Sequence, residues 1–170
     1  MVLVVLIGGR TVDQVVDWTA IQGALAAPFE PAEVEWRAAT GKGGANKHVQ
    51  LVAYISAAAV MDRLDQAVGA GNWSFDWQPL VVDTEVRVAK GTLTIFHVSK
   101  SDIGTASNWE PSKGCVSDTL KRCAVLWGVG RYLRDLPQVG CTLDANGNIP
   151  EEMLAKLREA LRRRQTARSA

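Results

Sequence analysis

The chain has 170 residues, 47% of them hydrophobic and 22% charged: enough apolar material for one packed domain, and too little charge for a disordered chain. The formal net charge is only +1, so contact with a polyanion would need cations gathered on one face rather than bulk attraction. Cys115, Cys123 and Cys141 lack paired spacing and have only His48 and His97 beside them, which argues for reduced cytosolic thiols and against a disulfide framework or a zinc site.

The opening "MVLVVLIGGR" is too short to span a membrane or serve as a secretory core, and no membrane contact is expected; an edge strand or a loose lead-in both fit. Thr11 and Gln14 have capping-box spacing ahead of "VVDWTAIQGALAA", which predicts a helix ending before Pro28. Two extended runs follow, 34–39 and 49–55, joined by a glycine-rich loop carrying Lys42 and Lys47. Ser56 is placed to cap a helix with apolar residues at Val60, Met61, Leu64 and Val68 and a stop at Gly69.

The stretch "SFDWQPLVVDTEVRVAKGTLTIFHVSKSDIG" is rich in strand formers. It predicts strands joined at Lys90-Gly91, with Pro79 marking an edge or a bulge. A long helix starting near Ser112 follows, and a last one begins near Pro150 with Met153, Leu154, Leu157 and Leu161 as its stripe. The order α-β-β-α-β-β-β-α-α, with helices segregated from strands, predicts an α+β fold.

The long helix carries the clearest functional pattern. Lys113, Ser117 and Lys121 recur at a spacing of four, so two cations and a hydroxyl share one stripe. Such a stripe can neutralise successive phosphates of a single strand; an ordinary solvated face has the same spacing. From Cys123 to Tyr132 the residues are apolar on every side, with Gly128 and Gly130 allowing close approach, which predicts a segment enclosed by its own core or by a second subunit. Aromatics among basic residues can stack on bases; each of the six tryptophans is better explained as core, and Trp36 beside Arg37 and Trp109 near Lys113 are the two candidates for stacking. The terminal Arg162, Arg163, Arg164 and Arg168 form either a solvated run or a site for nucleic acid or an acidic partner. Nucleotide-loop, nucleophile-elbow and metalloprotease motifs are missing. Asp83, Glu85 and Lys90 have the wrong spacing for a metal-dependent nuclease.

Two segments, "YISAAAVMDRLDQAVGAGNW" and "VSDTLKRCAVLWGVGRYLRDLP", with "EVEWR" before them and "SDIGTAS" between, resemble the Rad-fifty-two-like single-strand annealing proteins, nearest to their DNA damage response A (DdrA) type. The resemblance implies a β-β-β-α core, an antiparallel sheet packed on a long helix, in a homo-oligomeric ring on the order of ten subunits. It divides the chain into a lead-in at 1–29, an annealing core at 30–137, and a linker with a basic C-terminal helix at 138–170. It assigns Lys121 and Arg122 to DNA, with Lys113 and Ser117 along the same helix. Where relatives carry basic residues this chain has Ala58, Ala59 and Val125, so Arg37, Lys42 and Lys47 are the expected substitutes. Lys100 completes the candidate set.

The function implied is sequence-independent binding and annealing of single-stranded DNA in repair and recombination, in the nucleoid of the cytoplasm. Annealing makes no covalent bond, so neither catalysis nor a cofactor is expected. A ring-shaped scaffold that protects DNA ends or loads a recombination protein is the alternative, followed by a nuclease built on Asp83 and Glu85.

Overall fold

The computed structural model describes residues 2–7, 10–39, 45–82, 84, 86–106 and 111–169, with side chains from residue 16 onward except at 82, 111, 168 and 169. Strands β1 (Val2–Ile7) and β2 (Arg10–Val15) form an antiparallel hairpin, and helix α1 (Trp18–Ala26) follows. The capping box expected at Thr11 and Gln14 is therefore not a helix start. Thr11 pairs with Leu6 in the hairpin ladder, because the β-branched run around it finds a strand partner in the apolar opening. Asp17 is the real cap, accepting from the Ala20 N–H at 3.0 Å.

Strands β3 (Glu35–Ala38) and β4 (His48–Tyr54) pair antiparallel, close to the expected runs. Helix α2 (Ala57–Val68) starts as predicted at Ser56, whose Oγ accepts from the Ala59 N–H at 3.0 Å, and stops at Gly69 with φ +84°. The only basic residue of α2, Arg63, is engaged with the end of α1. It donates to the carbonyls of Ala24, Ala27 and Pro28 and lies 4.1 Å from the Phe29 ring centroid, closing the C-terminus of α1.

Strands β5 (Trp73–Val82), β6 (Val86–Ile95) and β7 (Val98–Thr105) make a third antiparallel sheet, packed on helix α3 (Pro111–Leu126). Pro79 sits on the edge strand β5 beside a register shift, as its chemistry demands. Lys90-Gly91, however, is the middle of β6 and not a turn. Along β6, Ala89, Gly91, Leu93 and Ile95 are buried against α3. Lys90, Thr92 and Thr94 point the other way, where Thr92 and Thr94 share hydrogen bonds of 2.9 and 2.8 Å with Ser101 and Ser99. Gly91 is a glycine because α3 comes too close for a side chain: an added Cβ would stand 2.7 Å from Phe75 Cε2 and clash with Thr119 Cγ2. Gly104 on β7 makes the same approach on the neighbouring strand.

Helix α3 ends at Leu126, short of the segment expected to continue to Tyr132. The chain turns through Gly128 (φ +104°) and Gly130 (φ +63°) into a short 3-10 turn, Arg131–Asp135. Cys123, Ala124, Trp127, Val129 and Leu133 are buried within this one chain, in a core shared with α1, α2 and β6. Trp127 stacks on Trp18 with centroids 6.0 Å apart and donates from Nε1 to the Leu93 carbonyl at 3.3 Å. The apolar character of 123–133 is thus met largely by the protein's own helices and sheet. Beyond it, β8 (Val139–Thr142) adds a third strand to β3–β4, and α4 (Glu151–Ser169) buries Leu157 and Leu161. The result is α+β with antiparallel sheets, and four helices among the described residues.

Candidate nucleic-acid interface

The register of β3 on β4 places Glu35 opposite Tyr54 and Arg37 opposite Val52. Strand alternation then puts Glu35, Arg37, Val52 and Tyr54 on one face of that sheet, with Trp36 on the other. Arg37 is diagonal to Tyr54, within reach of a long side chain. Its guanidinium carbon lies 5.2 Å from the Tyr54 ring centroid. From α3, Lys121 brings its ammonium to 5.7 Å from the same ring. Two cations from separate elements therefore converge on one aromatic ring, each at cation–π distance.

Burial shapes the chemistry of this cluster. Lys121 is half-buried, and desolvation lowers its pKa below the ordinary lysine value; Arg37 pushes in the same direction, while Asp118 and Glu35 pull it back up. Tyr54 is pushed up to about 12, first by burial and then by the neighbouring Glu35 carboxylate. The phenol therefore stays protonated well above neutral pH, and its ring is the platform against which both cations rest. Arg37 is exposed and forms no ion pair among the described residues. The arrangement can receive a phosphate between two cations, one partly dehydrated and one open to solvent.

Because α3 is continuous over Pro111–Leu126, Lys113 and Ser117 extend from Lys121 along the same stripe. The remaining candidates lie elsewhere. Arg122 is a 100° step around the helix and pairs with Asp102 of β7 at 3.4 Å. Lys100 donates to the Leu126 carbonyl at 3.0 Å and lies 4.2 Å from the Trp127 ring centroid, so it caps α3. Arg131 reinforces that cap with bonds of 2.8–3.0 Å to the Val125 and Leu126 carbonyls. Lys47 precedes β4 at the end opposite Tyr54, about 20 Å away along the strand. Lys42, Trp109, Asp83 and Glu85 lie outside the described residues. Ala58 and Ala59 form the first turn of α2, with Ala58 exposed. Arg162 and Arg163 on α4 both face Glu159, at 3.9 and 2.9 Å.

Tyr54 is the member of this candidate cluster that the sequence reading passed over. Period-two alternation across β3 and β4 was the available signal, since it puts an aromatic ring on the face that holds Arg37. Among the described residues no group of three or more acidic, histidine or cysteine side chains is placed to hold a metal ion, and no helix is long and apolar enough to cross a membrane.

A three-stranded antiparallel sheet seated on a long helix, with cations from helix and neighbouring sheet meeting at a tyrosine, defines an α+β class of fold with a cationic cluster at its surface. The sequence matches the Rad52/22 family of double-strand break repair proteins over residues 17–148, and the chain belongs to that family. Two curated relatives, each named single-stranded DNA-binding protein DdrA, come from Deinococcus radiodurans and Deinococcus deserti. Each is 42% identical over 120 residues, which is 69% of this chain and 56% and 58% of theirs. The chain therefore spans little more than half the length of the curated relatives it matches.

Proposed function

We propose that this chain binds single-stranded DNA by its phosphates, without sequence preference, and promotes pairing of complementary strands in DNA repair and recombination. The observation that carries this reading is the convergence of Arg37 and Lys121 on Tyr54. Family membership and the name of the relatives support the ligand class. Two complementary strands repel through their phosphates. A surface that neutralises the backbone lowers that repulsion, and base pairing alone then reads the sequence. The work is electrostatic and asks for no bond-making step.

The same reading takes the working form to be a homo-oligomeric ring on the order of ten subunits, acting in the nucleoid of the cytoplasm. The surface that favours self-association is apolar. Leu80 and Val81 on β5 and Ile103 on β7 are each about half exposed, on the two edge strands of one sheet. Light scattering with and without oligonucleotide tests the assembly: a monomer at micromolar concentration in both states refutes it.

DNA binding is tested with Lys121→Ala. The variant should bind a labelled oligothymidylate more weakly and with a salt slope lower by about one. Unchanged affinity and slope in a folded variant would sink the reading.

A further inference from the structure

The sheet β5–β6–β7 ends in two open edges of the kind that recruit further strands. Strand β5 has ten residues and β7 has eight, and between them they expose Trp77, Leu80, Val81 and Ile103. In an antiparallel ladder, alternate residues turn their backbone groups inward to the partner or outward to the open side. The Ala106 N–H donates to the Arg87 carbonyl of β6 at 2.8 Å, so even-numbered residues along β7 face β6, while Ile103 and Thr105 face outward.

Those two outward donors are already taken. The Ile103 N–H donates to Asp102 Oδ1 at 2.7 Å, and the Thr105 N–H donates to Asp118 Oδ2 of α3 at 3.3 Å. Arg122, also from α3, holds the same Asp102 oxygen at 3.4 Å. On the far edge, the Trp77 N–H donates to Asp76 Oδ1 at 2.9 Å, and the next outward position is Pro79, which has no N–H. Trp77 and Asp102 both pair with Gly91, so the two edges are interrupted at one level of the sheet.

An incoming strand would have to take these donors from their carboxylates. A hydrogen bond to a charged acceptor is stronger than the bond to a carbonyl that would replace it, and the displaced acid would be left at the joint. We infer that Asp76, Asp102 and Asp118 close this sheet against strand addition by a second copy, with Arg122 holding the closure on the α3 side. Any copy that packs against these edges does so through side chains and not through a shared ladder. The closure stands apart from the DNA reading, and it answers a hazard that the exposed apolar residues create, since a ladder shared at both edges has no intrinsic stop.

Asp102→Ala and Asp118→Ala open β7, and Asp76→Ala opens β5. Asn variants at the same positions lose the same charge but keep an acceptor oxygen, which makes them the controls. Hydrogen exchange reads the caps directly: the amides of Ile103, Thr105 and Trp77 should exchange roughly tenfold faster in the matching alanine variant and near the wild-type rate in the asparagine variant. Sedimentation velocity over a micromolar concentration series reads the consequence. The triple alanine variant should form assemblies that grow with concentration and gain an infrared band of intermolecular strands, whereas the triple asparagine variant should keep the wild-type distribution. If the triple alanine variant does not fold, the Asp76→Ala/Asp102→Ala pair, with one change at each edge, takes its place. Folded alanine variants whose amides exchange at the wild-type rate, or whose assemblies match wild type, overturn the inference.

Discussion

Gly104→Ala probes how α3 is seated. A Cβ at this position would stand 2.6 Å from the Thr119 backbone nitrogen and 2.7 Å from its Cα, besides clashing with Oγ1. Backbone atoms in mid-helix cannot swing aside, so β7 and α3 must separate. Overpacking of this kind costs about 3 kcal/mol, at the top of the usual range. Loss of glycine's unfolded-state entropy returns under 1 kcal/mol. Gly91→Ala is the matched control, because its Cβ meets only the ends of side chains, Thr119 Cγ2 and the Phe75 ring. Those can turn, and the cost should be nearer 1 kcal/mol. The double variants are sharper still. Thr119→Ser removes Cγ2 and should recover part of the Gly91→Ala loss. Thr119→Ala removes Oγ1 but leaves the backbone nitrogen and Cα in place, so it should recover little of the Gly104→Ala loss. Urea denaturation of the four variants gives the comparison. Equal costs at Gly91 and Gly104, or rescue of Gly104→Ala by Thr119→Ala, would refute this seating of the helix. Lys121 is two residues beyond Thr119, so Gly104→Ala should also weaken DNA binding, whereas Gly91→Ala should largely spare it.

Arg37→Ala should cost roughly 1 kcal/mol of DNA affinity, and Lys47→Ala almost none, because Arg37 is held by a strand beside Tyr54 and Lys47 lies at the far end of β4; parallel anisotropy titrations at fixed salt compare them. Lys100→Ala should lower stability by about 1 kcal/mol while leaving affinity at the wild-type value, since its ammonium binds the α3 C-terminus; denaturation and anisotropy together check this. The lowered pKa of Lys121 gives opposite pH trends in one window. The cost of burying its charge is fully present below that pKa and is relieved as pH rises toward the ordinary lysine value of 10.5, so this contribution to stability rises with pH. DNA affinity falls over the same window as the cation is lost. In Lys121→Arg both trends should flatten, as pH series of denaturation and binding will show.

What could be read from the sequence divides by physical cause. Where one face of an element is buried by its own local pattern, the reading held: Ser56 and Gly69 delimit α2, Pro79 marks an edge, and α3 begins beside Ser112. Where a residue type serves two purposes, it misled. Gly91 looked like a turn because glycine permits one, yet it sits mid-strand because Thr119 needs the space. Thr11 and Gln14 matched a cap by spacing, but pairing with β1 outweighed it. Strand β8 has four residues and little pattern of its own, and exists through its pairing with β4. In the interface, Lys121 and Arg37 were legible as cations. Their meeting at Tyr54 depends on three elements coming together, which no local pattern encodes.

The distribution of the basic residues explains how a protein of net charge +1 can present a cationic surface at all. Adjacent positions on α3 look equivalent in sequence, yet Arg122 answers Asp102 while Lys121 faces β3 and β4. Lys100 and Arg131 satisfy carbonyls at the end of α3, and Arg63 does the same for α1. Those cations stabilise helix ends and are screened by the dipoles they meet. Lys121 is different: it forms no ion pair among the described residues and rests by an aromatic ring, with Asp118, Arg37 and Glu35 acting on it through space, in a setting dry enough to lower its pKa. A cation so placed gains more from an arriving phosphate than one already matched by a carboxylate. Affinity should therefore follow the few cations left near Tyr54, and counting lysines and arginines would misjudge it.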